Sequence, residues 1–211
     1  MTAGRRAMPD PPRFTPFRIC LTIAALLLLS LSTACQMAHQ PGTSGHLPPN
    51  RPKPAISIPE LEKRIHALIN HERARQGLPS LAWDEALARV ARGHSKDMAG
   101  RAYFSHNSPE GLDFSYRYRE QGYTCALQIG QTIHAGAENI ALASLYRSVT
   151  TINGVAYYDW SSSEQIAAST VQGWMNSPGH RKNILAPHWL NQGIGAYISA
   201  DDKVHITQNF C

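Results

Sequence analysis

Long apolar runs are missing from this 211-residue chain. Its longest apolar stretch, Ile19 to Leu31, spans 13 residues and is interrupted by Thr22 and Ser30, whereas a bilayer-spanning helix needs about 20. A hydrophobic content of 43% likewise excludes a multi-span membrane protein. A basic stripe is also missing. Twenty Lys and Arg against fifteen Asp and Glu give +5, but Arg5, Arg6, Arg13 and Arg18 against Asp10 place +3 of that in the first 35 residues. The remaining 16 basic and 14 acidic residues form no run of like charge, so nucleic acid is not an expected partner. Nucleophile elbows of the Gly-x-Ser-x-Gly type, glycine-rich phosphate loops and Cys-x-x-Cys pairs do not occur. His71-Glu72 begins like a zinc-peptidase helix, but Arg75 stands where its second His belongs.

Four arginines before a short apolar core, followed by Ser32, Thr33, Ala34 and Cys35, fit an export signal over residues 1–35. Small residues ending on a cysteine resemble the bacterial lipoprotein box, in which that cysteine is acylated; Ser32 stands where Leu is usual, and cleavage by the ordinary signal peptidase is the alternative. The first reading anchors the chain through lipid on Cys35, in the periplasm or outer membrane. The second secretes it. Cysteine is scarce as well: Cys20 and Cys35 belong to the leader, leaving Cys125 and Cys211. In an oxidising compartment two thiols most simply pair, here closing a loop of 86 residues; two free thiols are the alternative.

Seven Pro or Gly residues between Gln36 and Ile56 mark residues 36–57 as an extended tether, leaving residues 58–211 as the domain. Ser57 with Glu60 matches a capping box for a helix carrying Leu61, Ile65, Leu68 and Ile69 to Gly77. Asp84 caps a second, with Leu87, Val90, Ala91, His94 and Met98 on one stripe to Gly100. Ser108-Pro109 is expected to open a third, running to Gly122, and Ser161 with Glu164 a fourth, stopped by Pro178-Gly179. Asn153-Gly154 between β-branched and aromatic segments signals a hairpin, and Gly193–Ser199 with Val204–Phe210 a second. Helices first and hairpins later predict an α+β domain with an antiparallel sheet.

Of the ten histidines, His39 and His46 fall in the tether and His66 and His71 on the first helix, where solvated surface is expected; His94 reads as a satisfied core residue. Three segments are more informative together: Phe104-Ser105-His106, Ala137-Glu138-Asn139-Ile140, and Asn176-Ser177-Pro178-Gly179-His180-Arg181 with Asn183-Ile184-Leu185 behind it. In each, a His or Glu sits beyond or between elements, where packing does not explain it. Two imidazoles and a carboxylate on one cleft can hold Zn²⁺ with a position left open, or a hydrogen-bonded water.

The order His94 to Ala99 (His-Ser-x-Asp-Met-Ala), Phe104 to His106, Glu138 to Ala141, Trp174 to Leu185 and Gly193 to Gly195 resembles the CAP superfamily of cysteine-rich secretory, antigen 5 and pathogenesis-related 1 proteins, in its bacterial SCP-domain branch. The resemblance spans about residues 58–211. It implies a three-layer α-β-α sandwich around an antiparallel sheet, with a cleft bearing two His and two Glu. His106, Glu138 and His180 match three of those four; Met175, Asn176 and Ser177 occupy the place of the second Glu. The resemblance also implies ligand binding, since family members bind sterols, fatty acids or other lipids. The expected function is therefore a non-catalytic envelope or extracellular module, acting as a monomer, that binds a small amphiphile with or without a divalent metal at His106, His180 and Glu138. The alternatives are a metal-assisted hydrolase of extracellular or envelope material with Glu138 as base, and a structural protein with a vestigial cleft.

Overall fold

Leu61, Ile65 and Ile69 recur at helical spacing and are fully buried along α1 (Ile58–Arg75). The computed structural model describes residues 51–211, within the unit Leu47–Cys211; the leader, Cys35 and residues 36–50 of the tether lie outside the described residues. Ser57 sits at the N-cap of α1 without a side-chain capping bond, so the expected box does not form; Glu60 instead accepts from Arg64 one turn on, at 2.6 Å. After β1 (Ala82–Trp83), Asp84 caps α2 (Glu85–Gly100) by accepting from the amides of Ala86 and Leu87. The expected stripe, His94 included, is its buried face.

The third helix corrects the sequence reading. α3 covers only Phe114–Glu120 and is capped by Asp113, whose carboxylate accepts from the Tyr116 amide. Ser108-Pro109 lies in a turn closed by the Gly111 amide donating to the Ser108 carbonyl. The capping box of α4 (Ser163–Asn176) is shifted by one residue from the expected pair: Ser162 and Gln165 make both reciprocal bonds. Pro178 does end α4, but it also begins α5 (Pro178–Ile184), because a proline at the first helical position gives up an amide that has no helical partner anyway.

Between α3 and α4 lie β2 (Leu127–Ile129), β3 (Thr132–His134), β4 (Ala137–Ser144), β5 (Tyr146–Ile152) and β6 (Val155–Trp160); β7 (Asn191–Ile198) and β8 (Lys203–Phe210) close the chain. The β5–β6 hairpin turns at Asn153 and Gly154, both at positive φ, as that dipeptide predicts. The main sheet runs β1-β7-β8-β4. β7, β8 and β4 are antiparallel, as expected; β1 adds a two-residue parallel edge to β7. α2 packs on one face, across β7 and β8, while α1 and α4 cover the other.

Gly193 and Gly195 explain how closely α2 approaches. A Cβ on Gly195 would stand 2.0 Å from the Arg92 amide nitrogen, and one on Gly193 2.1 Å from that of Ala88. Between them Ile194 points to the opposite face and joins Leu61, Ile65, Trp174, Ile206 and Phe210 in the larger core. Ser95 of α2 fastens the contact by donating to the Gly195 carbonyl at 2.9 Å. Cys125 and Cys211 form a disulfide beside Leu87, Val90 and Tyr118, tying the C-terminus to the segment after α3.

A thread of side-chain amides crosses the sheet. Asn183 donates to Asn139, Asn139 to Gln208, and Gln208 to Gln192, at 2.9, 3.0 and 2.7 Å; Gln192 Nε2 meets His66 Nδ1 at 2.9 Å. His66 is therefore half-buried and bonded rather than solvated, its ring edge-on to Trp83. His71 is exposed, as expected.

Candidate functional site

Glu138 is the second residue of β4, not a residue between elements, and its side chain is 1% exposed. A carboxylate so buried requires partners for both oxygens. His106 Nδ1 lies 3.0 Å from Oε1, and Arg117 of α3 donates to Oε2 at 2.6 Å. Because a carboxylate only accepts, His106 Nδ1 is the donor in this bond. Arg117 also donates to the carbonyls of His106 and Leu112, so one guanidinium fixes both the carboxylate and the loop bearing His106.

His94 is buried in the core as expected, yet it also serves this site. Its Nε2 donates to the Ser105 carbonyl at 3.0 Å, just before His106, and lies 3.8 Å from Glu138 Oε1. Burial pushes the His94 pKa below the usual histidine value, with Glu138 acting in the opposite direction.

His180 is the third residue of α5, again within an element. The Asn-Ile-Leu behind it positions that helix: Asn183 donates to the carbonyl of Glu138 at 3.2 Å and to Asn139 Oδ1, while Asn139 donates back to the His180 carbonyl at 3.3 Å. Ile184 is fully buried. The rings of His106 and His180 consequently stand 6.4 Å apart, centre to centre. Burial, then the neighbouring His106, lowers the His180 pKa.

Thus His106, Glu138 and His180 come together from a loop, a strand and a short helix. For Glu138, expected as ligand or base, each oxygen accepts from one partner, Oε1 from His106 and Oε2 from Arg117, an arrangement that orients the imidazole. No group of three His, Cys, Asp or Glu is placed to hold one metal ion among the described residues. Two imidazoles remain, with ring centres 6.4 Å apart, wider than the roughly 5 Å that two such rings span on one tetrahedral ion, so sharing a divalent ion would require them to draw together. At the place of a second cleft carboxylate, Asn176 is exposed, Met175 packs against the core, and Ser177 lines a groove. Arg117 and His94 are the residues sequence reasoning missed as parts of the site. The available signal was the need of a buried Glu for a cation.

From His180 a groove of about 450 Å³ runs along the outer edge of β4, Ile140 to Ser144, with Ser169, Thr170, Gly173 and Ser177 of the α4 side opposite and Tyr146 and Arg147 at its far end. Its lining mixes aliphatic surface from Ile140, Leu142 and Ile166 with hydroxyl groups.

A family model described as cysteine-rich secretory protein family, CAP, matches residues 66–210. The chain belongs to the CAP family. Among CAP-family relatives, Bacillus subtilis YkwD is 33% identical over 140 residues, 66% of this chain and 43% of the relative; the B. subtilis membrane protein YlbC is 35% identical over 149 residues, 71% and 34% respectively. This chain thus spans less than half the length of either. An extracellular SCP-domain protein of Bacillus anthracis superposes with a TM-score of 0.54 at 33% identity, over 72% of this chain and 40% of that one. An outer surface protein of Borrelia burgdorferi shares the fold with a TM-score of 0.53 at 18% identity, over 74% and 94%. No helix among the described residues is long and apolar enough to cross a membrane.

Proposed function

We propose that this CAP-family chain is exported and acts as a non-catalytic binding module, holding a small amphiphilic ligand in the groove along β4 with its polar end at His106 and His180. The supporting observation is that the groove ends on His180, whose ring stands 6.4 Å from that of His106, while the carboxylate beside them, Glu138, is buried and engaged by Arg117 and His106. A carboxylate acting as general base must reach the reacting atoms; Glu138 is instead buried against His106 and Arg117. A divalent ion such as Zn²⁺ would be held by His106 and His180, with Glu138 orienting the first, and would supply a Lewis-acidic anchor for a ligand oxygen. The leader, the Cys35 box and the extracellular B. anthracis relative support export to the envelope or beyond.

Turnover assays on peptide and cell-envelope substrates, run with and without added Zn²⁺, test the non-catalytic part. The expected result is no product above that of a His106→Ala/His180→Ala double variant. Product formed by the wild type and lost in the double variant would establish the hydrolase instead. Zinc calorimetry on the same proteins should show binding lost in the double variant.

A further inference from the structure

β4 ends the main sheet at the side opposite β1, so one of its edges has no partner strand among the described residues. Backbone groups in an antiparallel pair alternate between facing the neighbour and facing away. The Glu138 carbonyl accepts from Asn183, and the Ile140 carbonyl from the Trp174 indole at 2.9 Å. Glu138, Ile140, Leu142 and Ser144 therefore direct their amides and carbonyls away from β8. The carbonyls of Glu138 and Ile140 are covered by those side chains. The outward amide and carbonyl of Leu142 have no partner among the described residues, and Leu142 is 43% exposed.

The open groups of Leu142 lie in the groove, next to the Ile140 carbonyl that Trp174 already engages. Ile140 to Ser144 cover about 13 Å of strand, and the facing side of α4 presents small residues, Ser169 and Gly173, that leave room next to the edge. Thr170, only 5% exposed and also lining the groove, carries a hydroxyl with no partner among the described residues. A free edge with alternating donors and acceptors is chemically complementary to one kind of ligand, another extended backbone.

We propose that the groove takes an extended peptide segment of about five residues, added as a strand to the edge of β4, with alternate side chains seated between Ala141, Ala143 and α4. This rests on the groove-binding reading above and names the chemical class of the ligand. α4 runs alongside the edge, which suits a lone strand better than the sheet of a second copy.

The test uses the full chain and a fluorescein-labelled library of hexapeptides alternating Thr or Ser with Val, Ala or Leu, read by anisotropy. Binding is expected, and Gly173→Trp, which fills the groove, should abolish it. Leu142→Pro removes a single outward amide and leaves the β4–β8 ladder intact, a substitution edge strands tolerate; it should weaken binding roughly five- to tenfold, the effect of one hydrogen bond. Should that variant fold poorly, the same bond is read on wild-type protein with a peptide N-methylated at the amide facing β4, with the same loss expected. Affinity indifferent to both changes overturns strand addition, as does a library without a binder or a dimer paired edge to edge in sedimentation. If no peptide binds while an amphiphile released from the wild type is lost with Gly173→Trp, the peptide assignment falls and the groove reading stands. If neither occurs, both fall.

Discussion

Arg117 and Glu138 form the strongest local dependence in the site. The carboxylate side chain is 1% exposed and the guanidinium 15%. Removing one partner of such a pair leaves an uncompensated buried charge, at a cost of about 3–5 kcal/mol. Arg117→Ala should therefore lower stability strongly in chemical denaturation. His106→Ala should cost far less, since its ring is about half-exposed and Glu138 keeps Arg117. Equal losses in the two variants would show that the ion pair does not support the fold. At this scale the sequence was partly informative. His106, Glu138 and His180 stood out because each occurs in a short polar motif that packing does not require. Arg117 did not, because one Arg in Tyr-Arg-Tyr-Arg resembles any solvated helix position until the buried acid it faces is known. His66 was missed for a similar reason: Gln192, its bonding partner, lies 126 residues away.

At the scale of elements, apolar spacing, capping and turn chemistry located α1, α2, α4 and both hairpins expected from turn residues, although the α1 box does not form and the α4 box is off by one residue. Punctuation with two meanings failed. Pro178 ends one helix and opens the next, and Ser108-Pro109 opens a turn. β4 escaped notice because it runs from a polar edge position into the core, and its Ala-Glu-Asn-Ile-Ala-Leu alternates too weakly to read as a strand. The Gly-Ile-Gly of β7 has a direct physical cause in the approach of α2. Gly195→Ala places a methyl 2.0 Å from the Arg92 amide nitrogen, against helix backbone that cannot yield like a side chain. Overpacking of this kind costs about 3 kcal/mol at the upper end of its range, and a melting temperature unchanged from wild type would refute the close contact.

For the molecule as a whole, burial lowers the pKa values of His66, His188 and His205, and the buried Nε2 of His188 and Nδ1 of His205 have no partner among the described residues. In the unfolded chain these imidazoles take up protons near 6.5; in the folded chain they do so only at lower pH. Between those values the unfolded state binds more protons, so stability should be full above about pH 6.5 and fall as pH drops below it. Thermal melts at pH 7.5 and 5.0 test this, and a midpoint unaffected across that interval contradicts it. Metabolic labelling with a clickable fatty acid should mark the wild type and not Cys35→Ala; an unlabelled, freely secreted wild type would favour ordinary signal cleavage. The α+β class and the disulfide partners were legible from residue order and compartment chemistry. The groove was not, because it is bounded by β4, a strand the sequence barely signals, and by the small residues of α4.

The most direct measurement of groove binding is mass spectrometry of small molecules released on denaturing the full chain, purified from a cell envelope in parallel with Gly173→Trp. Near-stoichiometric release of one amphiphile class from the wild type is expected, with its loss from the variant at an unchanged melting temperature. Equal release from both, or none from either, would contradict a ligand held along β4.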